Sequence, residues 1–453
     1  MKKLTLENIA KCTGGTYVGD VGLLQNEITG VEKDSRLIKK GFLYLPFVGA
    51  KVDGHDFIPQ VFEKGALATL SEKELENPAG PYILVASVAQ ALKDLAEFYR
   101  NTLDCKIIGI SGSVGKTSTK EMIASVLAEK YDVLKTEGNY NNEIGMPLTI
   151  LKIREHHEIA VIEMGISDFE EMHRLAKVSR PDVCVITNIG TCHLENLGDR
   201  DGVFRAKTEM FDYAQEDCFV VLNGDDDRLV QVKNVHGNEP IFFGIETEQK
   251  VKAISYQTNG ILGTEVTINY QGEEFTTVIP IPGYHMIYNA MAALCIGKHF
   301  GMSFQEIDAG IRKLKAISGR NRIFEKDGFI VIDDCYNANP MSMEASLKVL
   351  SNAKGRTVAI LGDMFELGKD EEALHYHVGR IAARENINLV ICIGNLAKKI
   401  AEGAKTGKCS VLYFESKDAF IKEMKELLKK GDTILIKASN GMRFKELVEV
   451  LEG

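Results

Sequence analysis

The stretch Gly109-Ile-Ser-Gly-Ser-Val-Gly-Lys-Thr-Ser-Thr119 decides the fold of the segment around it. It follows the apolar residues Ile107 and Ile108 and precedes a helical pattern from Glu121 to Lys130, so a strand, a glycine-rich loop and a helix are expected in that order. Such a loop turns its backbone N–H groups toward an anion, and the helix after it directs its positive end to the same point. The stretch therefore predicts a phosphate-binding loop for ATP or GTP.

The chemistry of the loop residues indicates their roles. Lys116 adds a mobile positive charge, and the Thr117 hydroxyl can ligate Mg²⁺. The strict P-loop has a glycine five residues before Gly115, where this chain has Ile110, so the pattern that remains is G-x-x-G-K-T. A glycine-rich turn that binds nothing is the less favoured alternative, and the loop lacks the G-x-G-x-x-G pattern of a dinucleotide site. The candidate nucleotide contacts are Gly112, Ser113, Val114, Gly115, Lys116, Thr117 and Ser118.

Length and composition limit the class of protein. The chain has 453 residues, of which 45% are hydrophobic and 26% charged, enough for about three globular domains. It has no apolar run of the roughly 20 residues that span a bilayer and no apolar secretion signal, so we expect a cytoplasmic protein. The net charge of −10 argues against nucleic acid as the main partner. Nine cysteines without a C-x-x-C pair argue against a zinc site or a disulfide framework.

The pattern of strands and helices predicts an α/β fold class with three domains. Residues 1–82 mix short strands and turns, which is typical of a small α/β module. In residues 83–316, helices alternate with short apolar runs, which predicts a buried, mainly parallel sheet that carries the phosphate loop. Antiparallel hairpins are expected within this part, at residues 250–281. The alternation restarts in residues 317–453 and predicts a Rossmann-like, doubly wound domain, with strands at Phe329–Ile332, Thr357–Leu361, Leu389–Ile393 and Thr433–Lys437.

Polar side chains stand at the carboxyl ends of predicted strands, where open α/β sheets bind their ligands. Glu163 ends an apolar strand, where a carboxylate needs a cation nearby, and we interpret it as a Mg²⁺ ligand. His193 follows the next such strand, and a metal or phosphate role is favoured because Thr117 and Glu163 stand on neighbouring strand ends. For Lys207, on a helix with apolar neighbours, the sequence alone indicates a surface lysine whose stem covers the core.

A second polar cluster is predicted in the C-terminal part of the chain. Asp334 ends a strand and leads into the polar loop Cys335–Met343, which contains two asparagines and a proline. Asp363 and Glu366 follow the next strand in the same way. Each of these residues could simply cap a helix, but two adjacent polar strand ends favour a second ligand site.

Several motifs occur in the order seen in the Mur ligase family, and the resemblance spans nearly the whole chain. These motifs are the G-x-x-G-K-T loop, Asn139–Gly145, Glu163, Thr187–His193, Ala206-Lys207, Tyr284–Asn289 and Gly319-Arg320. The segments Asp334–Pro340 and Leu361–Gly368 resemble signatures of the member that joins D-alanyl-D-alanine to UDP-N-acetylmuramoyl-tripeptide. Asp34-Ser35-Arg36 and Asp53–Phe57 resemble the uridine-nucleotide module of that member.

The resemblance implies an ATP-dependent amide ligase that works through an acyl phosphate. We expect the chain to act as a monomer. Its partners would be UDP-N-acetylmuramoyl-tripeptide and D-alanyl-D-alanine, and its cofactors ATP and two Mg²⁺ ions. The implied metal ligands are Thr117, Glu163, His193 and Lys207 carrying a carbamate, and the implied catalytic residues are Lys116, His193 and Lys207. Further implied ATP contacts are Asn289, Arg320, Asp334 and Asn337. The implied contacts to the other substrates are Ser35, Arg36, Asn142, Asn337, Asn339, Asp363 and Glu366.

Two other functions are weighed against this one. A related ligase of the same architecture could act on a different carboxylate, such as a cofactor or a folate-type glutamate, because substrate choice depends on loop contacts. A GTP-binding switch module belongs to a different class. The chain lacks the N-K-x-D guanine motif, and two large further domains would have no role in a switch, so the ligase is favoured.

Overall fold

Three sheets with their flanking helices form the computed structural model, which describes residues 1–453. The three-domain α/β architecture predicted from the sequence is therefore confirmed. None of the helices combines the length and the apolar character needed to cross a bilayer.

The first sheet is small and belongs to the N-terminal part of the chain. Its strands are β1 (Thr16–Val18), β2 (Gly30–Glu32), β3 (Phe42–Tyr44), β4 (Ala68–Ser71) and β5 (Tyr82–Leu84), and the helices beside them are α1 (Leu6–Cys12) and α2 (Ile58–Glu63). The strand order is β1-β5-β4-β3-β2, with only the β1–β5 pair antiparallel. The buried residues of this sheet join those of the central domain in one hydrophobic cluster.

The central sheet has nine strands, with the phosphate loop after its first strand in the chain. The strands are β6 (Lys106–Ser111), β7 (Val133–Lys135), β8 (Ile159–Glu163), β9 (Val183–Ile186), β10 (Phe219–Asn223), β11 (Ile241–Gly244), β12 (Val251–Thr258), β13 (Thr264–Tyr270) and β14 (Glu273–Ile279). Their order is β14-β13-β12-β11-β10-β9-β6-β8-β7. Strands β6 to β12 pair in parallel, whereas β12, β13 and β14 form the predicted antiparallel hairpins.

Eight helices accompany this sheet. They are α3 (Val88–Arg100), α4 (Lys116–Leu127), α5 (Gly145–Ile150), α6 (Glu171–Ser179), α7 (Leu194–Leu197), α8 (Arg200–Thr208), α9 (His285–His299) and α10 (Phe304–Arg312). Helix α4 begins at Lys116, five residues before the periodic pattern predicted it. Helix α9 is apolar on nearly every face and is buried almost throughout its length, as expected of a helix with no polar side to present to water.

The third sheet forms the doubly wound C-terminal domain. Its strands are β15 (Arg322–Lys326), β16 (Phe329–Asp333), β17 (Arg356–Gly362), β18 (Leu389–Ile393), β19 (Ser410–Phe414) and β20 (Asp432–Lys437), and its helices are α11 (Pro340–Ser351), α12 (Glu371–Arg384), α13 (Ala397–Ala404), α14 (Lys417–Leu427) and α15 (Lys445–Glu452). The order is β15-β16-β20-β17-β18-β19, and only β15 is antiparallel to its neighbour. The sequence predicted β16, β17, β18 and β20 and missed the two edge strands.

Helices α12 and α13 approach each other at two glycines. A Cβ atom on Gly379 would lie 2.0 Å from the carbonyl oxygen of Ile400, and one on Gly403 would lie 2.2 Å from the carbonyl oxygen of Tyr376. No side chain fits at these distances, so glycine is needed here for close packing rather than for an unusual backbone angle.

This packing predicts that Gly379→Ala destabilises the C-terminal domain, although alanine is the better helix former. The added methyl group must separate the two helices, and we expect a loss of about 1–3 kcal/mol in the free energy of unfolding. Urea unfolding followed by circular dichroism measures the change. Lys398→Ala, on the exposed side of α13, is the matched control and should stay within about 0.5 kcal/mol of wild type. Equal stability of the two variants would contradict the close contact.

Candidate active site

A cavity of about 470 Å³ lies where the central and C-terminal domains meet. The carboxyl ends of parallel strands from both sheets border it, as expected of ligand sites in open α/β folds. The structure brings together at this cavity the following predicted site residues: Ser113, Val114, Gly115, Lys116, Thr117, Ser118, Asn142, Glu163, His193, Arg320, Asp334, Asn337 and Asn339. Residues more than 200 positions apart in the chain thus share one cavity.

The phosphate loop is sharply curved at two glycines. Gly112 and Gly115 adopt φ angles of 146° and 86°, which residues other than glycine rarely adopt. A Cβ atom on Gly112 would lie 1.9 Å from the Thr187 hydroxyl oxygen. The Val114 N–H donates to the Asn188 side-chain oxygen at 2.9 Å, which ties the loop to the end of β9. The loop is therefore a rigid cradle in which backbone N–H groups can surround an anion.

Lys116 lies at the start of α4 and is enclosed by this loop. Its ammonium group donates to the carbonyl oxygen of Gly112 at 2.6 Å. Burial lowers the pKa of Lys116, while the nearby Glu163 carboxylate acts in the opposite direction. A lysine in this position gains a strong partner when a phosphate group enters the loop, since charge-assisted hydrogen bonds are the stronger ones.

Glu163 and Thr117 form the most buried acidic corner of the cavity. The Thr117 hydroxyl donates to Glu163 Oε1 at 3.2 Å, and Asn141 Nδ2 donates to the same oxygen at 2.8 Å. Glu163 is only 2% exposed, yet its Oε2 atom has no hydrogen-bond partner. A buried carboxylate oxygen without a partner is costly. Hydroxyl and carboxylate oxygens are the ligands that Mg²⁺ prefers, so this corner fits a divalent cation. Sequence reasoning missed Asn141, although it stands beside the predicted Asn142.

His193 joins the two domains across the cavity. It follows β9 in a left-handed conformation with φ of 52°, and its Nδ1 atom lies 2.6 Å from Oε2 of Glu366 in the C-terminal domain. Burial lowers the pKa of His193, and the Glu366 carboxylate opposes that shift. An imidazole nitrogen can ligate a metal ion, so this position suits a ligand at this edge of the cavity.

Lys207 is completely buried on α8, with a side chain that is 0% exposed. The interpretation of Lys207 as a surface lysine is therefore wrong, because its ammonium group does not reach water. Burial lowers the pKa of Lys207 to about 8, and repulsion by Lys116 acts in the same direction. An amine with this pKa has an appreciable neutral fraction near pH 7, and the neutral amine is the nucleophilic form.

The C-terminal wall of the cavity is held by contacts that the sequence did not indicate. The Arg320 guanidinium lies 4.0 Å over the ring of Tyr336, which fixes its plane. Asp334 Oδ2 accepts from Lys437 Nζ and from the Ser346 hydroxyl, each at 2.5 Å. Lys437 ends β20 and is 3% exposed. Tyr336 lies within the Asp334–Pro340 motif, but its contact with Arg320 and the Lys437–Asp334 pair become visible only in the folded chain.

Other predicted residues do not line the cavity. Asn289 lies behind the phosphate loop, where its Oδ1 atom accepts from the Thr119 hydroxyl at 2.9 Å. The Asp363 carboxylate accepts from the Ala397 N–H at 2.7 Å at the start of α13, and burial raises the pKa of Asp363. In the N-terminal domain, the Arg36 guanidinium pairs with Asp34 at 2.6 Å. The predicted substrate contacts Ser35 and Arg36 are thus separate from the predicted ATP contacts.

Three models of the Mur ligase family match the chain. The Mur ligase family catalytic domain matches residues 27–100, the Mur ligase middle domain matches residues 110–297, and the Mur ligase glutamate ligase domain matches residues 319–440.

Full-length relatives give the same result. The UDP-N-acetylmuramoyl-tripeptide--D-alanyl-D-alanine ligase of Bacillus subtilis (strain 168) is 38% identical over 460 residues, covering 100% of this chain and 99% of the relative. The ligase of the same name from Escherichia coli (strain K12) is 31% identical, covering 100% of this chain and 99% of the relative.

Solved structures resemble the whole chain. Crystal structure I of MurF from Acinetobacter baumannii has a TM-score of 0.90 at 28% identity and covers 99% of this chain and 98% of its own. The MurF ligase of Thermotoga maritima in complex with ADP has a TM-score of 0.82 at 28% identity, over 93% of this chain and 97% of its own. The chain belongs to the Mur ligase family.

Proposed function

We propose that the chain is an ATP-dependent ligase that joins D-alanyl-D-alanine to UDP-N-acetylmuramoyl-tripeptide, a step in the synthesis of peptidoglycan precursors. One observation carries the proposal: relatives that match this chain along its full length are named for that reaction. The cavity supports it, because a phosphate loop and a cation corner face the C-terminal domain across one space. The complex of the Thermotoga maritima structure with ADP supports ATP as the phosphate donor.

The reaction has two steps, and each step forms one bond and breaks another. An oxygen of the terminal carboxylate of the tripeptide attacks the γ-phosphorus of ATP, and the bond from that phosphorus to the bridging oxygen breaks to release ADP. The amine of D-alanyl-D-alanine then attacks the carbonyl carbon of the acyl phosphate, the bond to the phosphate oxygen breaks, and the amine loses its proton. A carboxylate is a poor electrophile, and phosphorylation provides its leaving group.

The chain contributes mainly position and charge to these steps. Lys116 and the loop N–H groups hold the phosphates and balance the charge of the group in transfer. Arg320 and Asp334 contact ATP from the C-terminal domain, together with Asn337. Because the cavity lies between domains, closure around the substrates excludes the water that would hydrolyse the acyl phosphate.

The divalent cations of the reaction are Mg²⁺. Thr117 and Glu163 would hold one ion, and the unpartnered Oε2 atom of Glu163 supports this assignment. His193 and Lys207 would hold a second ion after the neutral Lys207 amine forms an N–C bond to CO₂ and releases one proton, which leaves an anionic carbamate. When bound, the ions neutralise phosphate charge.

The remaining assignments follow the same proposal. Ser35 and Arg36 contact the uridine nucleotide, and Asn142, Asn337, Asn339, Asp363 and Glu366 contact the tripeptide or the dipeptide. The domains are residues 1–82, 83–316 and 317–453. The three separate sheets support this division, except that the first sheet extends to Leu84, because its strand β5 is Tyr82–Leu84. The enzyme works as a cytoplasmic monomer. A sibling ligase with another carboxylate substrate and a GTP-dependent switch are not favoured by the names of the relatives.

The first test is the substrate requirement. Purified protein with ATP should release ADP over repeated turnovers only when UDP-N-acetylmuramoyl-tripeptide and D-alanyl-D-alanine are both present, because the dipeptide amine must consume the acyl phosphate before the next turnover. A coupled ADP assay with each substrate omitted in turn measures this. Equal turnover with a free amino acid in place of the dipeptide would show that the assignment is wrong.

Lys116→Ala tests the phosphate loop. The variant keeps the loop glycines and loses the charge next to the phosphates, so kcat should fall by about 10²–10³-fold, as for other deletions of electrostatic stabilisation. Lys177→Ala, an exposed lysine of the same domain, is the matched control and should retain full activity. Melting temperatures measured for both proteins separate catalysis from folding. Near wild-type turnover in Lys116→Ala would remove this loop from the catalytic site.

Lys207→Ala tests the proposed carbamate. The variant lacks the anionic ligand, so activity should collapse, and formate should restore part of it by returning a carboxylate to the vacated space. Chloride at equal ionic strength is the control and should restore nothing. The native protein should show an added mass of about 44 Da on Lys207 under bicarbonate, the mass of one CO₂. Full activity of Lys207→Ala, or failure of formate to rescue it, would contradict the carbamate.

A further inference from the structure

Lys120 is a buried lysine that the mechanism above does not use. It lies on α4, and its side chain is 1% exposed. Residues three and four positions apart share one face of a helix, so Lys120 lies on the same side of α4 as Lys116 and Thr117. A buried ammonium group is stable only where hydrogen bonds and opposite charges compensate it. The partners of Lys120 therefore indicate what it does.

These partners connect Lys120 to Glu163 by two routes. The ammonium group donates to the carbonyl oxygen of Thr136 at 2.7 Å, and the hydroxyl oxygen of the same Thr136 accepts the N–H of Glu163 at 2.9 Å. The ammonium also lies 3.8 Å from Glu163 Oε2 and 3.1 Å from Glu121 Oε1. Thr136 is 0% exposed, so this link between α4 and the end of β8 is shielded from water.

The direct approach to Glu163 is electrostatic. A separation of 3.8 Å is too long for a hydrogen bond, but two opposite charges at this distance attract each other strongly when water is excluded. Lys120 is the only basic side chain within 4.0 Å of the Glu163 carboxylate. It faces Oε2, the oxygen that has no hydrogen bond, while Oε1 is held by Thr117 and Asn141. The two oxygens of the Glu163 carboxylate are thus oriented by different groups.

We propose that Lys120 is a positioning residue for the divalent cation. It orients the Glu163 carboxylate, balances its charge before the cation arrives, and fixes the distance between α4, which carries Thr117, and β8, which carries Glu163. The inference rests on the proposed role of Glu163 as a Mg²⁺ ligand. It differs from a purely repulsive role, in which a lysine next to a cation site would only weaken the binding of the cation.

The direction in which metal affinity changes when Lys120 is replaced distinguishes a positioning role from a repulsive one. The probe is Mn²⁺, titrated by electron paramagnetic resonance into the full-length protein with ADP. Lys120→Met should raise the Mn²⁺ dissociation constant by about 10–100-fold, the usual loss when a group that orients a metal ligand is removed. Lys120→Arg keeps the positive charge and a hydrogen-bond donor for the Thr136 carbonyl oxygen, so it should recover part of the lost Mn²⁺ affinity. Lys135→Met is the matched control, since Lys135 pairs with Glu121 at the surface and is 44% exposed. The Mn²⁺ dissociation constant of Lys135→Met should stay within about twofold of wild type.

Unchanged or tighter Mn²⁺ binding by folded Lys120→Met would overturn the proposal. If that variant does not fold, Lys120→Gln takes its place, since the amide keeps a donor without the charge, and the same weakening is expected. In a Glu163→Gln background, Lys120→Met should have little further effect, because residues that act through each other are not additive. Wild-type affinity of Glu163→Gln would refute the metal role of Glu163 itself. Weak binding by Glu163→Gln with full binding by Lys120→Met would refute only the role of Lys120.

Discussion

The burial of the Glu163 carboxylate is the constraint on which the site depends. The side chain is 2% exposed at the end of a strand that is buried along its whole length, where an isolated charge would be expensive. Three neighbouring polar groups offset that cost. Thr117 and Asn141 donate hydrogen bonds to one carboxylate oxygen, and Lys120 lies opposite the other. The corner is balanced yet retains one oxygen for a further cation. The same groups therefore stabilise the buried carboxylate and leave one of its oxygens available to a cation.

The second constraint is that the cavity has two walls from different domains. The cradle and the cation corner belong to the central sheet, whereas Arg320 and Asp334 belong to the C-terminal domain. Each wall is rigid by itself: the loop by its glycine conformations, and the opposite wall by the stacking of Arg320 on Tyr336 and by the Asp334–Lys437 pair. The proposed closure of the domains would therefore preserve the geometry within each wall.

The sequence predicts those parts of this site that depend on local patterns. The phosphate loop, the strand that ends in Glu163 and the polar strand ends of the third sheet all carry a signal within about ten residues. The edge strands β15 and β19 were missed because they are partly exposed and their apolar pattern is weak. Lys120 was missed for a different reason. A lysine has no burial signal of its own, and only the folded chain shows that Lys120 lies against a carboxylate.

The buried lysines show why the phosphate loop suits an anionic ligand. Lys116 and Lys207 repel each other, and burial lowers the pKa of both. A polyphosphate in the loop would offset this repulsion, and the proposed carbamate on Lys207 would replace one of the two cations by an anion. A neutral ligand of the same shape would leave the two ammonium groups opposed, so charge complementarity favours an anion at this loop.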